Sequence, residues 1–64
     1  MKIVLSNYYI GIRDEPHILS LIESWLNSID VKTVYKGRAL NCYATQNTLY
    51  EILLKLSFDY DIEI

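Results

Sequence analysis

"FDYDIEI", Phe58–Ile64, closes the chain, and its reading decides the fold. Phe58, Tyr60, Ile62 and Ile64 share one parity; Asp59, Asp61 and Glu63 share the other. Successive side chains of a strand point to opposite faces. The alternation therefore predicts a half-buried strand with three carboxylates in a row on its outer side.

The segments before it are consistent with that. "TQNTLYEILLKLS", residues 45–57, places Leu49, Ile52, Leu53 and Leu56 at helical spacing, with Thr48 and Glu51 as a capping box or Thr45 as an earlier cap. "VKTVYKGRALNCYA", residues 31–44, is a hairpin of Val31–Tyr35 and Arg38–Ala44 about a Lys36-Gly37 turn. "RDEPHILSLIESWLNSID", residues 13–30, predicts a helix. Asp14 is its cap, Pro16 lies in the first turn, and its apolar stripe is Ile18, Leu19, Ile22, Trp25, Leu26 and Ile29. Lys2–Ser6 is a first strand. It either runs on to Ile12 or turns back at Ser6-Asn7 into a hairpin of its own.

Strand, helix, strand, strand, helix, strand is the order of the ferredoxin-like βαββαβ sandwich. The expectation is thus a single α+β domain over residues 1–64. Its four-stranded antiparallel sheet would run in the order 4-1-3-2, with two helices on one face. Trp25 and Leu53 would anchor the helices. On the third strand Leu40, Cys42 and Ala44 would point inward, and Asn41 and Tyr43 outward.

Sixty-four residues bury only about 60% of the surface exposed by the unfolded chain. With 52% apolar residues, six of them Tyr, some apolar surface must stay outside. Cys42 has no second cysteine to pair with, and Cys42 with His17 falls short of a four-ligand zinc site. The start "MKIVLSNYY" lacks the apolar core of a signal peptide, and no run reaches membrane-spanning length. The expected setting is soluble and cytoplasmic, without a membrane partner.

Catalysis has little to stand on. His17 and Cys42 are the only obvious base and nucleophile, and no third group orients them. Gly11 and Gly37 form no phosphate-binding loop. Alternate strand residues lie about 7 Å apart, too far for Asp59, Asp61 and Glu63 to share a cation with ligand distances of about 2.0–2.6 Å. A flat strand face also lacks the cleft that paired carboxylates need for glycoside chemistry. The expectation is a non-enzyme with no cofactor or metal.

A partner remains. Asp59, Asp61 and Glu63, with Tyr8 and Tyr43 beside them, would form a partner-binding face for a basic surface of a larger host protein. The same charges would also protect a sheet edge from pairing with another chain. In its acidic, Tyr-rich, stand-alone character the chain resembles the small inhibitors encoded by phages and mobile elements, such as anti-CRISPR and antirestriction proteins. That resemblance implies a non-catalytic protein-binding module. Two alternatives stand beside it. One is a nucleic-acid-binding ferredoxin-like module stacking bases on Tyr8, Tyr43 and Tyr35, against which the acid row would count. The other is a homodimeric regulatory domain; the chain itself would be a monomer or a homodimer.

Overall fold

The structure, a computed structural model, describes residues 1–62. Four antiparallel strands form one sheet, and two helices pack on one of its faces. The strands are β1 (Lys2–Leu5), β2 (Tyr9–Arg13), β3 (Lys32–Lys36) and β4 (Ala39–Tyr43). Helix α1 (Pro16–Ser28) follows β2, and α2 (Gln46–Tyr60) follows β4. The α+β class, the four-stranded antiparallel sheet and the paired helices are as expected.

The entry of the chain into that sheet differs from the expected order. The sheet runs β1-β2-β4-β3. This is the ferredoxin-like strand order with its last strand moved to the front of the chain. Lys2–Ile12 therefore does not form one long strand but turns back through Asn7-Tyr8, one residue later than the hairpin expected at Ser6-Asn7, and Ser6 N–H donates to Tyr9 O at 2.9 Å. The resulting hairpin fills the edge place that Phe58–Ile64 was expected to take. Phe58–Tyr60 instead continues α2, and Asp61 ends it in the left-handed conformation at φ 51°. Glu63 and Ile64 lie outside the described residues.

Two forces favour the helix over the strand at residues 58–60. Lys55 Nζ and Asp59 Oδ2 form an i,i+4 ion pair at 2.9 Å, a contact that exists only in the helical conformation. Nothing between Ser57 and Phe58 breaks the preceding helical run, and Tyr60 extends the stripe from Leu56 by four residues. The α2 N-cap is Thr45, whose hydroxyl accepts from Thr48 N–H at 3.4 Å. Helix α1 starts one residue later than Asp14 would place it: Glu15 is the cap, without a side-chain capping bond. Asp14 Oδ1 accepts from Glu15 N–H instead, at 2.6 Å.

The core lies between the helices and the inward parity of the sheet. Ile10 and Ile12 of β2 and Leu40 and Cys42 of β4 are completely buried beneath Leu19, Ile22 and Leu26 of α1 and Leu49, Ile52, Leu53 and Leu56 of α2. Trp25 packs against this core but is only half-buried, with the Lys55 ammonium 5.8 Å from its ring centroid. The indole is thus a lid at the helix–helix seam, while Leu26 beside it sits fully inside. Ile29, expected in the stripe, is exposed just past the end of α1. The β3–β4 turn is one residue later than Lys36-Gly37, because Lys36 pairs with Ala39 and leaves Gly37-Arg38 as the loop. Gly37 supplies the positive φ of 60° at the first loop position, where such two-residue hairpins need glycine.

Candidate functional site

Residues directly opposite one another on neighbouring strands share a face. Since Ile10, Ile12, Leu40 and Cys42 point into the core, the register fixes the helix-free face. Tyr9 and Tyr43 pair across the central strands, then Gly11 and Asn41, then Arg13 and Ala39. The edges extend these rows: Lys2 lies opposite Arg13 and Val4 opposite Gly11, while Lys32 lies opposite Tyr43, Val34 opposite Asn41 and Lys36 opposite Ala39.

This face carries the cations Lys2, Arg13, Lys32 and Lys36, all exposed, and among the described residues no carboxylate shares it. A net charge of −2 therefore hides a basic surface. The acids stand elsewhere: Asp14, Glu15 and Glu23 on or beside α1, Asp30 after it, and Glu51, Asp59 and Asp61 on or at the end of α2. Glu23 turns toward the sheet's inner side, where the Tyr35 hydroxyl donates to it at 3.4 Å. Desolvation and the neighbouring Glu23 carboxylate push the Tyr35 phenol above its ordinary value.

Of the acid row, Asp59 and Asp61 accordingly do not stand on the sheet. Asp59 is on the last turn of α2, tied to Lys55, and Asp61 is the helix's left-handed cap. A strand would have held them on one line; a helix turns by 3.6 residues per revolution and separates them. Tyr8 lies in the β1–β2 loop, 65% exposed, with its ring 5.5 Å from Tyr9. Tyr43 is half-buried on the open face as expected, and its ring lies 5.9 Å from Tyr9 at a 38° tilt. The structure thus brings Tyr8 and Tyr43 together through Tyr9 and parts both from the carboxylates. Sequence reasoning missed Tyr9 and Arg13, both on the central strand β2. The Tyr9 signal lay in the place of the turn: a loop at Asn7-Tyr8 sets Ser6 opposite Tyr9, whereas one at Ser6-Asn7 would have put Tyr8 on the strand.

Cys42 is buried under the helices, and desolvation raises its thiol above the ordinary value despite opposing backbone hydrogen bonds. A raised thiol is a poor nucleophile. His17 is exposed near Glu15, their side chains 3.5 Å apart, on the far side of the sheet from the tyrosines. Among the described residues no cluster of His, Cys, Asp and Glu could hold a metal ion. No described helix is long and apolar enough to cross a membrane. No family model, no curated protein and no solved structure matches this chain.

Proposed function

We propose that the open sheet face binds single-stranded nucleic acid, which makes the chain a small non-catalytic nucleic-acid-binding module. The observation that carries this is the combination on one face of Lys2, Arg13, Lys32 and Lys36 with the Tyr9–Tyr43 pair, which Tyr8 adjoins from the β1–β2 loop. Cations that track a phosphate backbone and aromatic rings on which unstacked bases lie are the two parts of single-strand recognition. On sheets of this shape the stacking rings belong to the central strands, and Tyr9 and Tyr43 stand on β2 and β4, the central pair. Edge lysines also deter pairing with other strands, which accounts for Lys2, Lys32 and Lys36. It does not account for Arg13, which stands on a central strand.

Fluorescence anisotropy of a short labelled single strand tests this. The parent chain should bind it, and Tyr9→Ala and Tyr43→Ala should each weaken binding by about 1–3 kcal/mol, the worth of one base–aromatic stack. Circular dichroism should be unchanged for both. Absence of binding by the parent in low salt would refute the proposal.

A second reading keeps the protein partner and moves it to the helical side. Tyr50, Leu54 and Phe58 form an exposed apolar stripe at i, i+4 and i+8 on α2, with Phe58 89% and Leu54 69% exposed. Glu51, Asp59 and Asp61 lie on or at the end of the same helix. An inhibitor of a host protein with a basic surface would approach by this helix. A target captured by the parent chain but not by Phe58→Asp would support it, and a target indifferent to Phe58→Asp would sink it.

A further inference from the structure

The centre of the open face is not flat. Gly11 lies there between Ile10 and Ile12, in the interior of a central strand. Glycine weakens a strand at such a place, and where it occurs it often marks the close approach of a ligand. A Cβ on Gly11 would meet Asn41 Oδ1 at 3.2 Å, Tyr9 at 3.9 Å and Val4 at 3.9 Å. Those three side chains converge over the bare backbone and wall a hollow of about 280 Å³, with Ala39 extending its floor. Lys2 and Arg13 stand at its rim.

We propose that this hollow takes a single nucleobase and selects one that carries an exocyclic amine, with Asn41 as the specificity-determining residue. The proposal rests on the open face binding single strands. The volume lies just below the ~300 Å³ at which drug-sized pockets begin, so it admits one planar ring system and leaves the sugar and phosphate outside. Tyr9 offers that ring an aromatic wall, and Lys2 and Arg13 meet the flanking phosphates.

Asn41 holds its Oδ1 over Gly11, at the hollow, and its Nδ2 on the side of the Tyr43 hydroxyl, 3.5 Å away. The group facing the base is thus an acceptor. Adenine and cytosine meet it with an amine N–H. Thymine and uracil meet it with a ring N–H flanked by two carbonyl oxygens, which repel Oδ1.

The test compares a short oligothymidine strand with the same strand carrying one central deoxyadenosine or deoxycytidine. The parent chain should bind the amine-bearing strands roughly tenfold more tightly, the worth of one good base contact. Asn41→Leu should abolish that difference, partly by relieving the repulsion that thymine meets at Oδ1. Gly11→Ala, which pushes on Oδ1 and fills the floor, should reduce the difference without the loss of charge or of Tyr9. Equal affinity of the parent for all three strands, or a preference that survives Asn41→Leu, would overturn the pocket and leave the binding face standing. Failure of the parent to bind any strand would overturn the binding face and the pocket with it.

Discussion

Replacing Arg13, Lys32 and Lys36 together by Gln should cut the salt dependence of nucleic-acid binding to about a quarter of its slope while leaving the fold intact. Single-strand binding loses affinity with salt in proportion to the phosphates neutralised, with a log–log slope of about −0.7 per contact. Lys2, Arg13, Lys32 and Lys36 all lie exposed on the open face, so engagement of all of them gives a slope of about −2.8. A fourfold rise in salt would then cost the parent chain about 50-fold in affinity, and the triple variant, left with Lys2, about threefold. Exposed charges contribute little to stability, so thermal melting should move by no more than a few degrees. The check is a titration of one labelled strand at several salt concentrations above ~50 mM, run on both proteins. Parallel lines would show that the three cations lie off the path of the phosphates.

The second large effect concerns the core. Leu26→Ala should unfold the chain or bring it to the edge of unfolding, and Trp25→Ala, one residue away, should not. At about 0.05–0.15 kcal/mol per residue, a 64-residue chain has roughly 3–10 kcal/mol of stability in all. Truncating a buried Leu to Ala removes about 2–5 kcal/mol, including the cavity that remains. Leu26 is fully buried between the helices and the sheet. Trp25 packs on the core from the helix seam without being fully buried, with Lys55 over its ring, so its loss opens surface to water instead of leaving an enclosed void. Urea denaturation of both variants checks this, and the reverse order of stability would mean that α1 is rotated from the position described.

The helices were legible because each carries its stripe in its own sequence: Leu19, Ile22 and Leu26 on α1, and Leu49, Ile52, Leu53 and Leu56 on α2. So was the parity of β4, since Leu40 and Cys42 alternate cleanly with Asn41 and Tyr43. Phe58–Ile64 was not, because a short alternating segment satisfies two periods at once. Phe58 and Tyr60 suit a strand, while Tyr60 also follows Leu56 at helical spacing. What separates the two lies outside the segment. The turn at Asn7-Tyr8 lets β1 occupy the edge beside β2, and once that place is filled a strand at residues 58–60 has lost the partner it was expected to pair with. The candidate face followed the same logic. Its cations were visible one by one, but only the pairing of Lys2 with Arg13 and of Lys32 with Tyr43 assembles them on one surface.

The separation of charge between the two sides of the molecule gives it a permanent electric dipole, with the sheet at the positive pole and the helices at the negative. The body measures 26 × 23 × 20 Å, and the Debye length at physiological ionic strength is about 8 Å. A polyanion nearing the sheet in such a medium feels the near pole alone, and the overall excess of negative charge does not reach it. In 0.01 M salt the screening length grows to about 30 Å, longer than the molecule. The far pole then contributes, and attraction ceases to strengthen on further dilution. A protein of this kind would be retained by an anion-exchange resin through its helices, and would still hold a polyanion against its sheet.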